Sequence, residues 1–282
     1  MTISLAHLGP VGTYSESAAI SYGGWLEKYR QQKFILCPEP SIALALSAVA
    51  KRKVNYAVVP VENSIEGTVN ITLDTLWQEK NLKILRGLTI PIVHSLLSYN
   101  DSLENIKTVY SHPQALGQCQ KWLENNLPQV QLIPASSTTE ALKLLKEDRT
   151  ACAISSARAA ELYHIPILYS GINDRPDNCT RFLVVGFESN QSGSHISLAF
   201  SLEKNVSGAL VKPLQVFADR DINLSKIESR PTKRSLGEYL FFLELEGSLQ
   251  EEKIKSALDE LKLYTEVVNI FGNYDLISFH NR

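Results

Sequence analysis

The chain has 282 residues, long enough for two compact domains. With 44% hydrophobic and 21% charged residues it reads as a folded globular protein, which excludes a disordered or fibrous chain. Its 28 basic and 30 acidic residues leave a net charge of -2, so no broad positive field exists to hold a polyphosphate backbone, and nucleic acid is not an expected partner.

Residues 1–12 carry no basic segment or apolar run ahead of a small-residue cleavage site, so a cytoplasmic location is expected. The longest apolar stretch, 42–50, is interrupted by Ser47 and falls well short of the ~20 residues a spanning helix needs, so no membrane association is expected. Next, β-rich runs at 3–8, 34–37, 56–61, 82–92, 108–111, 131–134 and 151–154 alternate with helical patterns, which implies parallel β-α units. Ile42, Ala45, Leu46 and Val49 recur at helical spacing, and Ser137 to Glu140 forms a capping box ahead of Leu142 and Leu145. Residues 188–194 are small, polar and aperiodic, the composition of a linker. The expected domains are therefore 1–187 and 195–282. Beyond the linker the pattern reads strand 195–202, helix 210–218, strands 222–228 and 239–245, helix 251–263 and strand 266–271, a ferredoxin-like β-α-β-β-α-β unit. Pro213 demands that the first of those helices start late or kink near Lys212. Cys37, Cys119, Cys152 and Cys179 are isolated and no histidine stands at metal-ligand spacing, so reduced thiols and no metal are expected.

Chemistry concentrates at strand ends. GPVGTYSE at 9–16 places glycines and amides before a helix, a turn that suits either an anion or simple capping, but it is neither a phosphate loop nor a dinucleotide fingerprint. VPVENSIEGT at 59–68 supplies an amide, hydroxyls and a flexible glycine, although Asn63 or Ser64 also suits a plain helix cap. SHPQA at 111–115 offers Ser111 and Gln114 as donors beside Pro113, with His112 more readily structural than catalytic. NCTRF at 178–182 joins a hydroxyl, a guanidinium suited to carboxylates and an aromatic ring, and Cys179 has no visible activating partner.

Together, in this order, GPVGTYSE, VPVENSIEGTV, SHPQALGQC and NCTRF resemble the prephenate dehydratase family over the whole first domain. SGALV at 207–211 and NLSKIESRP at 223–231 resemble its C-terminal ACT regulatory domain. The resemblance implies a two-lobed α/β catalytic domain like the periplasmic binding proteins, and conversion of prephenate to phenylpyruvate in phenylalanine biosynthesis without a cofactor. A start directly at the first dehydratase strand implies a monofunctional enzyme. It further implies Thr180 as the essential hydroxyl, with Arg181 holding the pyruvyl carboxylate or acting from behind the direct contacts. An arginine too close to the leaving carboxylate would stabilise the ground state. Thr13, Asn63, Ser64, Gly67, Thr68, Ser111 and Gln114 would complete a donor-lined cleft, with Phe182 packing its wall. L-Phenylalanine is the implied effector, bound near Gly208, Ala209, Leu210, Asn223 and Leu224, with Glu228, Ser229, Arg230 and Pro231 linking that site to the cleft. A homo-oligomer, dimer or tetramer, is expected from exposed strand edges. Arogenate as substrate, or a non-catalytic aromatic-ligand sensor, are the competing readings.

Overall fold

The computed structural model describes residues 2–146 and 148–279. A first lobe is built from β1 (Ile3–Leu8), α1 (Tyr14–Arg30), β2 (Phe34–Glu39), α2 (Ile42–Ala50), β3 (Tyr56–Asn63), β4 (Gly67–Thr68), α3 (Asn70–Gln78) and β5 (Lys83–Pro91). The chain then crosses into a second lobe: β6 (His94–Leu97), β7 (Thr108–Ser111), α4 (Pro113–Gln118), α5 (Gln120–Asn126), β8 (Gln131–Pro134), α6 (Ala141–Leu144), β9 (Ala151–Ser156), α7 (Ala157–Tyr163) and β10 (Ile167–Ser170). It returns to the first lobe through β11 (Cys179–Gly186), and the C-terminal unit follows as β12 (His195–Ser201), α8 (Val211–Ala218), β13 (Leu224–Pro231), β14 (Tyr239–Glu246), α9 (Glu252–Leu261) and β15 (Val267–Ser278). Two crossings between lobes, one in each direction, leave a cleft between them. None of the described helices is long and apolar enough to cross a membrane.

The expectation of parallel β-α units holds for β2, β1 and β3, which pair in parallel, and for β7 with β8 and β9. It fails at β11, which runs antiparallel between β3 and β5 because it re-enters the lobe from the opposite direction. Both sheets are mixed. The C-terminal unit has strand order β13-β14-β12-β15, the ferredoxin-like arrangement, with buried Ile254, Ala257, Leu258 and Leu261 of α9 packed against it. Its first helix starts at Val211, which places Pro213 in the opening turn, where a missing N–H breaks no helical bond.

Residues 187–194 carry neither helix nor strand. The two units nevertheless share structure, because β15 outruns its expected end at Phe271. Its first part pairs with β12, and residues 275–278 pair in parallel with Arg86 to Thr89 of β5. Phe242, Phe271 and Tyr274 are buried in one cluster with Val59, Val61, Leu76 and Leu183 of the first lobe. Gly272 makes the crossing possible, since a Cβ there would run into the Ile84 carbonyl.

Candidate active site

The cleft encloses about 620 Å³, within the usual range of roughly 300–1,000 Å³ for a small-molecule site. Thr13, Asn63, Gln114, Thr180 and Phe182 line it. Thr13 caps α1: its hydroxyl accepts from the Glu16 amide at 3.3 Å, and Glu16 Oε2 accepts from the Gly12 amide at 2.6 Å. That reciprocal capping box spends on Glu16 an amide that the glycine turn offered to an anion. Gly12, at φ +87°, lies close to Thr139 and Ala159, and its carbonyl accepts from Ser156 Oγ at 2.9 Å, so the lobes touch here.

Thr180 and Asn63 are brought together by a bulge. Along β3 and β11 the register pairs Thr180 with Asn63 and Arg181 with Glu62, then skips to Phe182 with Pro60, leaving Val61 as the extra residue. Bulges of this kind bend a strand and re-aim its side chains. Successive strand residues face opposite sides, so Thr180 turns to the cleft and Arg181 turns away. Asn63 Nδ2 donates to Thr180 Oγ1 at 2.9 Å and to Asn178 Oδ1 at 3.0 Å.

The direction of each bond in this buried network is fixed by backbone amides. Ile65 and Glu66 both donate to Asn63 Oδ1 at 3.0 Å, so the other amide atom facing Thr180 is nitrogen. Asn178 Oδ1 therefore accepts, and Asn178 Nδ2 donates to Gln118 Oε1 at 2.9 Å. Gln118 Oε1 faces His94 Nε2 at 3.0 Å; a carbonyl oxygen only accepts, so Nε2 carries the hydrogen. At the near end, Thr180 Oγ1 accepts from Asn63, and among the described residues no acceptor takes its own hydroxyl proton. That proton is free to point into the cleft.

Burial holds His94 below the ordinary imidazole value of 6.5 despite its bond to Gln118, and holds His7 below it despite the Leu8 carbonyl and the Glu16 charge. With both folded values depressed, the unfolded chain takes the proton first. Their contribution to stability is complete above 6.5 and is lost as pH falls from there toward the folded values. Thermal unfolding scanned from about pH 7.5 to about pH 5 is expected to show a falling midpoint. A flat profile contradicts this assignment.

Several expected site residues lie elsewhere. Arg181 makes no cleft contact: its Nη2 donates to Glu62 Oε2 at 2.6 Å and its Nη1 pairs with Glu244 of the C-terminal unit. Burial alone would lower Arg181, but Glu244, Tyr274 and Glu62 outweigh it and hold the guanidinium charged. It cannot grip a substrate carboxylate without abandoning two partners. Ser64 staples the loop to β11, accepting from the Cys179 amide at 3.0 Å, and Ser111 is wholly buried, donating to the Ile154 carbonyl at 2.7 Å. Gly67 and Thr68 pair with β3, and Thr68 Oγ1 donates to Glu228 at 2.8 Å, away from the cleft. His112 lines the cleft, with Nδ1 accepting from the Gln114 amide at 3.3 Å as a helix cap.

Tyr14, His94, Gln118 and Lys143 also line the cleft and were not anticipated. Gln118 lies inside the SHPQALGQC stretch, seven residues beyond Ser111 and at the end of α4, a signal that was available. His94 opens β6 with no motif around it. Lys143 sits on what reads as the solvated side of a short helix, yet it is the one lysine or arginine among the described residues lining the cleft.

A family model described as prephenate dehydratase matches residues 5–190, and one described as ACT domain matches 196–263. The chain is 38% identical over 273 residues to a prephenate dehydratase of Methanocaldococcus jannaschii, covering 94% of this chain and 95% of that protein. It is 43% identical over 274 residues to a bifunctional chorismate mutase/prephenate dehydratase of Aquifex aeolicus, covering 96% of this chain and 73% of that protein. A crystal structure of prephenate dehydratase in complex with L-Phe from Arthrobacter aurescens superimposes with a TM-score of 0.87 at 31% identity, covering 97% of this chain and 90% of that one. From its cleft motifs through its ferredoxin-like C-terminal unit, the chain belongs to the prephenate dehydratase family.

Proposed function

We propose that this chain converts prephenate to phenylpyruvate in the cleft between the lobes, with Thr180 as the donor to the departing oxygen. The observation that carries this is the fixed direction of the Asn63–Thr180 bond, which makes Thr180 an acceptor from protein and leaves its proton for substrate. In the elimination, the bond from ring to carboxylate breaks to release carbon dioxide. Its electron pair moves through the diene to expel the ring hydroxyl, and one proton turns the departing hydroxide into water. No electron leaves the system. A threonine hydroxyl is a weak acid, so its task is to hydrogen-bond the leaving oxygen as charge develops there, in a site where burial strengthens the bond.

Sparse positive charge fits decarboxylation, because a cation against the ring carboxylate would favour the dianion over the transition state. Tying Arg181 to Glu62 and Glu244 keeps a guanidinium one residue from Thr180 out of the cleft. Gln114 serves as a binding contact, Asn63 orients Thr180, Thr13 caps the helix at the rim of the cleft, and Phe182, 1% exposed, serves as wall.

Residues 1–187 and 195–282 form the catalytic and regulatory units in this proposal, and L-phenylalanine occupies the turn of Gly208, Ala209 and Leu210 together with Asn223 and Leu224. Gly208 supports this, with φ +77° and open space where a Cβ would stand, directly before α8. Glu228 and Arg230, on the strand leaving that site, bond Thr68 and Asp74 of the first lobe, while Ser229 and Pro231 point outward. We also propose a homo-oligomer, dimer or tetramer. β13 is a sheet edge with Ile227 exposed, and Tyr239 is exposed opposite Pro231. The buried free thiols of Cys119 and Cys152 suit a cytoplasmic location.

Purified protein incubated with prephenate, and separately with arogenate, is expected to release the aromatic keto acid from prephenate. L-Phenylalanine is expected to reduce the rate, and light scattering to give a mass above 31.4 kDa. No turnover of prephenate overturns the reading. A phenylalanine-insensitive rate removes the regulatory part, and a monomer in both conditions removes the oligomer.

A further inference from the structure

We propose that Glu244 and Lys226, in the C-terminal unit, are positioning residues for the elimination, holding the Asn63–Thr180 pair through Glu62 and Arg181. The inference rests on Thr180 acting in the cleft and adds to that reading a device outside it.

The geometry is a closed chain of charges behind the catalytic strands. Arg181 bridges Glu62 of β3, at 2.6 Å, and Glu244 of β14. Lys226 of β13 meets the other oxygen of Glu62 at 3.0 Å. Glu244 is fixed in turn by Tyr274 Oη, donating at 2.8 Å, and by Ser225 Oγ at 2.9 Å. Burial would raise the Glu244 carboxyl, but Arg181, Tyr274 and Ser225 outweigh it and keep the carboxylate charged. Its side chain is 6% exposed and that of Arg181 16%, so this is not a solvated surface pair.

Position matters more than strength here. Glu62 and Arg181 are register partners across the bulge, and their chain neighbours Asn63 and Thr180 are the next pair, facing the cleft. A displacement of the outer pair is carried one residue along each strand into the inner pair. β13 is the element able to impose it. Lys226, Glu228 and Arg230 point at the first lobe, to Glu62, Thr68 and Asp74, while Ile227, Ser229 and Pro231 face outward. A void of about 30 Å³ borders Arg181, Lys226, Glu244 and Tyr274, which gives the guanidinium room to shift. The strand proposed to bear on phenylalanine is thus bonded to the residue before Asn63, two discrete contacts from the hydroxyl.

The test is steady-state kinetics on the full-length protein with prephenate, for Glu244→Gln, Lys226→Gln and Tyr274→Phe. Tyr274→Phe removes one hydroxyl from Glu244 and keeps the packing, so it reports even where loss of the buried charge prevents folding. Coupling through such networks commonly reaches 0.5–2 kcal/mol, so kcat is expected to fall roughly twofold to thirtyfold with KM within about twofold. Glu246→Gln, at the exposed end of the same strand, is expected to leave kcat unchanged. Adding Arg181→Met to Glu244→Gln is expected to cost less than the product of the two single losses. Wild-type kcat in folded Glu244→Gln and Tyr274→Phe overturns the proposal, as does a rise in KM at constant kcat. Failure of the wild-type protein itself to turn over prephenate would instead overturn the functional reading.

Discussion

Thr180→Val is expected to lower kcat by roughly 10²–10⁴-fold, the usual cost of removing one positioned donor or transition-state hydrogen bond. Valine matches threonine in shape and β-branching, so the buried site stays filled and the strand keeps its conformation. The variant leaves Asn63 Nδ2 without one acceptor, but Asn178 Oδ1 at 3.0 Å and the Cys179 carbonyl at 3.2 Å still receive it. The folding cost is therefore about 1 kcal/mol, that of an ordinary buried hydrogen bond. Thr180→Ser retains the hydroxyl and loses the methyl that fixes its rotamer, so it is expected to keep far more activity than either Thr180→Val or Thr180→Ala. Loss of uniform binding would appear in KM, whereas this loss falls on kcat. A valine variant folded by circular dichroism and close to wild-type kcat would make Thr180 structural.

How far such roles were legible in the chain depends on what repeats. The apolar stripe of α9 repeats at helical spacing, and β1, β3 and β7 are short, mostly buried β-rich runs, so these elements could be read directly. Donor chemistry does not repeat. Ser111, Thr68 and Thr180 all stand at or near strand ends with hydroxyls, yet they meet the Ile154 carbonyl, Glu228 and the cleft respectively. Which face a strand residue takes depends on the register with its partner, and the bulge at Val61 leaves no mark in the sequence. Arg181 illustrates the consequence: a guanidinium expected to hold a substrate carboxylate or to act from behind the direct contacts pairs instead with Glu62 and Glu244. The extension of β15 was hidden for another reason. Gly272, Asn273 and Asp275 favour turns, and the strand survives them because Tyr274 is buried and residues 275–278 gain a partner in β5.

Asn63→Asp is expected to be nearly as damaging as Thr180→Val, although it changes one amide nitrogen to oxygen. Oδ1 would go on accepting from the Ile65 and Glu66 amides, so the loop that follows β3 keeps its anchor. The other atom, now an acceptor, would face Thr180 Oγ1 at 2.9 Å and Asn178 Oδ1 at 3.0 Å. Two consequences follow from donor counting alone. Thr180 would turn its proton onto the new carboxylate and withdraw it from the leaving oxygen. Asn178 would have to reverse its amide, which sets its oxygen against Gln118 Oε1, and a reversal there would oppose the hydrogen on His94 Nε2. Any group left unpaired in this buried network costs about 1–3 kcal/mol, so stability falls along with a kcat loss of roughly 10²–10³-fold. The added charge also repels a dianionic substrate and raises KM, which leaves kcat as the diagnostic quantity. The defect is expected to shrink as pH is lowered, because the protonated carboxyl regains a hydrogen to donate to Thr180, whereas Asn63→Leu can show no such recovery. A pH-independent kcat within about threefold of wild type in folded Asn63→Asp would mean that bond direction at Thr180 does not govern the elimination.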